Sequence, residues 1–260
     1  SETYFGGSYD KGEAHCHPLN YALGIAQAAL SANAKIYENS TVSSFDLSNS
    51  HVKVNTKSGS VKAERVVLAC NGYLGNLEKR LNSKLLPMNN YIVATEPLDN
   101  ETVAKINPRD IAFADSRFVI NYFRLSADKR LLFGGGENYS QELSKNILPI
   151  VTKPLEKIYP FLKGVKIDYA WGGKLALTMN RLPFYKEMNK GKVLSAQGYS
   201  GQGVALASYA GKVIAEKITG DGEIFDIMAN IPMQRFPGGR FLRNPTMRVG
   251  MFYHALLDRL

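Results

Sequence analysis

The feature that most constrains this chain is a strand, a glycine cluster and a helix in immediate succession. Val193 to Ala196 is a short apolar run, Gly198-Tyr-Ser-Gly-Gln-Gly203 follows it, and Val204 to Ile218 has helical spacing. That order is a phosphate-binding arrangement, because glycines allow close backbone approach and a helix N-terminus offers free N–H groups with partial positive charge. The glycines do not match GxGxxG, and glycines before a helix also serve plain packing, so the pattern alone leaves both readings open. A second run belongs with the first. Arg65-Val-Val-Leu-Ala69 is a β-branched run of the kind buried on both faces of a parallel sheet, and it ends in Cys70-Asn71-Gly72. If both runs are strands of one parallel sheet, they must be neighbours despite the roughly 120 residues between them.

The rest of the chain divides by period. Pro18 opens a helical pattern through Leu19, Ala22, Leu23, Ala26 and Leu30, and a short strand is expected at Lys35 to Tyr37. Thr41 to Leu47, His51 to Thr56 and Val61 to Ala63 read as a small antiparallel meander. Asn89 to Thr95 alternates, and Phe118 to Leu125 with Arg130 to Phe133 form a hairpin across Ser126 to Lys129. Ile147, Val151, Leu155, Ile158 and Leu162 have helical spacing, limited by prolines at 149, 154 and 160. A strand from Val165 to Trp171 meets Gly172-Gly173, and Leu182 to Tyr185 is a further strand. An amphipathic segment from Met247 closes the chain. Alternating strands and helices at both ends of an antiparallel middle predict a mixed α/β (α+β) fold, a split nucleotide-binding domain with an inserted sheet. The segments are read as 1–86, 87–186 and 187–260, the outer two sharing one domain.

Composition sets limits. With 260 residues, 45% hydrophobic and 21% charged, the chain is globular. No run approaches the ~18 apolar residues of a membrane span, and no signal region leads in from Ser1, so a cytoplasmic protein with no membrane partner is expected. Cys16 and Cys70 are too few for a disulfide framework. His15-Cys-His17 resembles a metal pair, but no further Cys/His cluster supports it and no metal is assigned. The formal charge of +9 is spread over scattered lysines and arginines, which favours a solvated basic surface over nucleic-acid binding. GxSxG, HExxH and P-loop patterns do not occur. Tyr91, Tyr122 and Arg124 lie on alternating strands whose one face could line a cavity, with core packing an equal alternative. Trp171 reads as core more readily than as a platform for a ligand ring, although Gly172-Gly173 beside it would admit a flat ring.

Taken in order, "VVLACNGY" at 66–73, "YIVATEPL" at 91–98, "RLLFGGG" at 130–136, "WGGKLALTMNRLP" at 171–183 and "GYSGQGVALASYAGKVIAEKITG" at 198–220 resemble the FAD-dependent amine oxidoreductases of the D-amino-acid oxidase superfamily, which include glycine and sarcosine oxidases. Phe236-Pro-Gly-Gly-Arg240 and Phe241-Leu-Arg-Asn-Pro245 are similar to the ending of one subgroup, the gamma-glutamylputrescine oxidoreductases. The resemblance implies oxidation of an amine C–N bond to an imine with FAD as cofactor. It also implies that Val42 bonds the adenine through its backbone, and that Ala69, Cys70, Asn71 and Gly72 pass near the ADP moiety. Gly198, Tyr199, Ser200, Gly201, Gln202, Gly203 and Val204 would cradle the ribityl chain and flavin ring, with Gly172 and Gly173 beside it. Tyr91, Tyr122 and Arg124 would form the substrate wall, and His17 the flavin edge.

Two departures matter. The family places an amino-terminal GxGxxG turn on the FAD diphosphate, and this sequence has none. The chain is therefore expected to be a carboxy-terminal part with FAD binding weak or absent, inactive by itself, and prone to self-association through an exposed sheet edge. Amino-acid oxidases of the superfamily carry a carboxylate-binding arginine in a "G-L-R-P-x-T" stretch, and alignment on Thr178 and Pro183 puts Leu175 there. That favours an amine without an adjacent carboxylate, such as an acylated polyamine. A non-catalytic small-ligand module and a basic nucleic-acid surface are the alternatives.

Overall fold

The computed structural model describes residues 3–239 except 49, 118 and 139–141, together with residues 242, 243, 245 and 249. The segment from Met247 read as amphipathic lies, apart from 249, outside the described residues. The chain divides into two compact units, one of residues 1–24, 89–173 and 247–260, the other of residues 25–88 and 174–246.

Helix α1 (Pro18–Ser31) starts at its proline, and the His17 ring Nδ1 accepts the Asn20 N–H at 3.3 Å. Its apolar stripe is uncovered: no residue of the helix is buried, and Leu19 and Leu23 are 60% and 59% exposed. Lys35 to Tyr37 forms no strand, and Ile36 and Tyr37 are exposed. The meander is present as β1 (Val42–Leu47), β2 (Val52–Thr56) and β3 (Ser60–Ala63), antiparallel throughout. Strand β4 (Val66–Leu68) leads into a single 3-10 turn at Asn71–Tyr73, and α2 (Lys79–Asn82) is capped by Glu78.

The first unit is built on an antiparallel sheet. Strands β5 (Leu86–Thr95), β6 (Phe113–Ala114), β7 (Tyr122–Leu125), β8 (Leu131–Asn138) and β9 (Ile167–Leu177) take the order β6-β7-β8-β5-β9. The expected hairpin joins β7 to β8, with Leu125 opposite Leu131. Helix α3 (Asn100–Ile106) is capped by Asp99, which accepts the Thr102 N–H at 2.8 Å. Helix α4 (Leu148–Ile158) is shorter than the periodic segment because Pro149 sits in its first turn and Pro160 opens a 3-10 turn. Val151, Leu155 and Ile158 of α4 pack on Tyr91, Val93, Phe123 and Phe133 of the sheet. Phe123 stacks on Phe133 at 5.4 Å between centroids and meets Tyr159 edge-on at 5.6 Å.

The second unit holds the parallel pair. Strand β10 (Phe184–Met188) runs antiparallel to β11 (Val193–Gln197), and β11 runs parallel to β4, with Val193 opposite Val66 and Ser195 opposite Leu68. The two runs singled out in the sequence are thus neighbours. Helix α5 (Gly203–Thr219) follows β11 and ends on Gly220 at φ 112, a left-handed cap that glycine adopts without steric cost. Helix α6 (Glu223–Asn230), which the periodicity did not reveal, packs Phe225 against Tyr185, Leu194 and Ile214. On the other face Val193, Leu68, Leu81, Leu85 and Phe184 form a second cluster. Strand β4 closes the order β10-β11-β4, and Val67 is 40% exposed, so the run expected to be buried on both faces is covered on one. Residues 1–24 group with 89–173, and 174–186 belong to the second unit, where β10 pairs with β11.

Candidate functional site

In the second unit, the ends of the two parallel strands meet a third segment. Asn71 adopts φ 46, a left-handed conformation that asparagine tolerates, and its Oδ1 accepts the Gly198 N–H at 3.0 Å. This bond ties the end of β4 to the end of β11. Gly72 lies against the continuation of β9: a Cβ there would stand 2.8 Å from the Lys174 carbonyl oxygen and 2.9 Å from that of Leu175. The Lys174 N–H donates to the Tyr73 hydroxyl at 3.0 Å, and the Ser200 N–H donates to the Ala176 carbonyl at 3.0 Å. Gly198, at φ 76, packs on the Thr178 methyl and Leu85. Residues 70–73, 174–178 and 198–200 therefore form one backbone junction.

The turn beyond that junction is open. Ser200 and Gly201 have φ 51 and 101, and α5 begins without a side-chain cap on its first N–H groups. Gly201, Gln202 and Val204 are exposed, as is Ala69. Gln197, fully buried, donates its Nε2 to Ser195 Oγ at 2.7 Å, and Ser195 donates in turn to the Leu68 carbonyl at 3.3 Å. That chain fixes the carboxamide, and among the described residues no donor meets its Oε1. Tyr199 is buried with its hydroxyl on the Ala196 carbonyl at 2.8 Å, and its pKa is pushed up to about 12 by burial and then by Tyr185. It stays protonated near neutrality and serves as a strut. Burial likewise pushes the Cys70 thiol up, which makes it a poor nucleophile. Val42 opens β1 and is exposed at 36%. An open glycine turn, an uncapped helix start and a fixed buried acceptor fit a dinucleotide cofactor; Asn71, Gly72 and Gly198 are held chiefly by packing and by each other.

The first unit separates the three wall candidates. Tyr122 pairs with Gly134 and Gly134 with Ile92, while Tyr91 pairs with Gly135. Side chains alternate along a strand, so Tyr91 leaves the face opposite to that of Tyr122 and Arg124. Tyr91 has no exposed surface, lies in the aromatic core, and accepts the Ser144 N–H at 2.9 Å. The expectation of one shared face therefore does not hold for Tyr91. Tyr122 and Arg124 remain together and half-buried: the Tyr122 hydroxyl donates to Asn90 Oδ1, and Arg124 Nη2 donates to the Cys16 carbonyl at 3.0 Å. Gly134 leaves room for the Tyr122 ring, since a Cβ would stand 2.2 Å from it. Asn90 was not singled out from the sequence; the Gly134-Gly-Gly136 run reads there as the end of the strand pair, whereas β8 continues through it to Asn138.

Gly172 admits Tyr91 rather than marking a strand end, since a Cβ would lie 2.6 Å from that ring, and β9 continues through both glycines. Trp171, read as core, is 44% exposed. His15 Nε2 lies 2.9 Å from the Asp110 carbonyl and His17 caps α1, so both have structural roles. Among the described residues no group of three His, Cys, Asp or Glu side chains could hold a metal ion, and no helix is long and apolar enough to cross a membrane.

Residues 1–217 match the family described as FAD dependent oxidoreductase (DAO), and the chain belongs to that family. It is 39% identical over 261 residues to the gamma-glutamylputrescine oxidoreductase of Escherichia coli (strain K12), covering 100% of this chain and 61% of that protein. Among solved structures, L-proline dehydrogenase from P. horikoshii superposes with a TM-score of 0.64 at 26% identity, covering 78% of this chain and 55% of that one. Glycine oxidase from Geobacillus kaustophilus shares the fold at a TM-score of 0.63 and 21% identity, over 76% and 53%. The chain thus spans about three fifths of the length of the curated relatives it matches.

Proposed function

We propose that the protein containing this chain oxidises the C–N bond of an amine to an imine, with an acylated polyamine such as gamma-glutamylputrescine as its class of substrate. The observation that carries this reading is the junction at residues 70–73, 174–178 and 198–200, with its open turn and uncapped α5, in a chain of the FAD dependent oxidoreductase family. FAD supplies the two-electron acceptor. The residues for it are Gly198 to Val204 with Ala69 to Gly72, and Val42 through its backbone. The positive end of α5 stabilises negative charge, an electrostatic role for backbone rather than for a titrating side chain. Gln197 Oε1 offers a fixed acceptor beside the turn. Tyr122 and Arg124 form the substrate wall.

Leu175 sets the substrate class. A leucine leaves a substrate carboxylate without a partner, whereas arginine would pair it bidentately. In the full-length gene product, Leu175→Arg should raise the rate on α-amino acids relative to γ-glutamylputrescine by about tenfold or more. Unchanged relative rates would sink the assignment. The free edge of β4 invites pairing with another chain, so self-association is part of the proposal, as are a cytosolic location and the absence of nucleic-acid binding. The 260-residue chain by itself should hold FAD weakly and turn over no amine; isolation with one tightly bound FAD per chain, read from visible absorption, would contradict this.

A further inference from the structure

Three cations converge at the outer edge of the second unit. The Lys84 ammonium lies 5.0 Å from the centroid of the Phe184 ring, just beyond α2. Lys186, two residues along β10, leaves the same face of the strand as Phe184 and is exposed. Arg235 adjoins Phe236, whose backbone N–H donates to the Ser83 carbonyl at 3.4 Å, which brings Arg235 beside Lys84. The buried guanidinium of Arg243 donates to the carbonyls of Asn82 and Leu85, on either side of Lys84, adding positive charge beneath the same loop. Desolvation, then Lys186 and Arg235, hold the Lys84 ammonium below its usual pKa.

Among the described residues, no acid offsets them. Glu187 leaves the other face of β10 and meets Lys217 at 3.3 Å, while Glu78 is taken up by the Arg80 N–H at 2.8 Å. Among the described residues, Lys84, Lys186 and Arg235 have no carboxylate within ion-pair distance. Gathering like charges around a partly desolvated ammonium costs free energy unless an anion joins them.

We propose that Lys84, Lys186 and Arg235 form a binding site for a small, multiply charged phosphate. The half-buried lysine supplies the floor and the two exposed cations the sides. Three cations at one short edge suit a compact anion, whereas nucleic acid needs a row of contacts along its backbone. The site does not depend on the flavin reading, and its test needs no flavin.

Calorimetric titration of the full 260-residue chain with inorganic pyrophosphate at low salt should show binding that K84A/K186A/R235A weakens by about tenfold or more. The control K53A/K57A/K62A, three meander lysines, should bind as the parent does. The site variant should melt at the same or a higher temperature, because it removes repulsion. If it does not fold, Lys186→Ala and Arg235→Ala, both at exposed positions, should each weaken binding by about threefold or more. Pyrophosphate affinity unchanged by these substitutions, or lost equally in the control, would overturn the site. So would a DNA duplex that binds more tightly than pyrophosphate through the same residues, with a steep salt dependence.

Discussion

The unit of residues 1–24, 89–173 and 247–260 carries 14 lysines and arginines against 14 aspartates and glutamates, while the unit of 25–88 and 174–246 carries 18 against 9. The whole excess of +9 therefore belongs to the second unit. In the neutral unit, charges pair with each other: Arg130 meets Asp128 and Asp168 at 2.6 Å each, Lys166 meets Asp168 at 2.9 Å, and Arg117 meets Asp115 at 3.7 Å. Its polar ties close on themselves around one aromatic core. The basic unit divides its core between the two faces of a short parallel pair and leaves an open turn, a fixed acceptor and gathered cations. A net charge read over a whole chain hides such a division, and a basic protein can be neutral over half its length.

This comparison can be broken by perturbing one unit at a time. The largest effect is expected in the neutral unit, where Leu155→Ala opens a cavity among Tyr91, Phe123 and Phe133 and should cost about 3 kcal/mol. Urea denaturation followed at Trp171, the chain's single tryptophan and a residue of that unit, should show the free energy of unfolding lowered by that amount, with a lower midpoint. A shift under about 1 kcal/mol would mean that α4 does not seal this core.

Next comes Gly72→Ala in the basic unit, which forces a methyl onto two backbone carbonyls that cannot rotate away. About 2 kcal/mol of destabilisation is expected, and the left-handed Asn71 should lose its hold on Gly198. Hydrogen exchange at the Gly198 amide should accelerate in that variant while amides of β7 and β8 stay protected. Equal acceleration in both places would erase the distinction between the units.

The smallest effect is that of Tyr199→Phe. Losing the bond to the Ala196 carbonyl should cost about 1 kcal/mol at neutral pH. The folded-state pKa of Tyr199 is raised from 10.0 to about 12, so its contribution is present below pH 10 and is lost as pH rises towards about 12. The variant should therefore be the less stable at pH 8 and lose that deficit as pH rises from 10 towards about 12. A difference that persists unchanged at high pH would show that Tyr199 does not titrate with unfolding.

The features legible in the amino-acid order are local or follow one another along the chain. The hairpin at 126–129, the meander and the strand–glycine–helix succession follow from residue preferences that act over a few positions. The series of motifs, read in order, carried the family. Pairing of β4 with β11 was also legible, because a β-branched run and an apolar run flanked by glycines have few other places to go. Tertiary structure decided the rest. Which face Tyr91 takes depends on register, since a shift of one residue exchanges the two faces of a strand and nothing in the alternation fixes it. Gly172 continues a strand instead of ending it because the Tyr91 ring needs its space. Lys35 to Tyr37 is no strand because, among the described residues, none pairs with it, and an isolated strand has no bonds to hold it. Gln197 became notable only once Ser195 and Leu68 were seen to fix it, and Lys84, Lys186 and Arg235, scattered in sequence, became one place only through the packing of three segments.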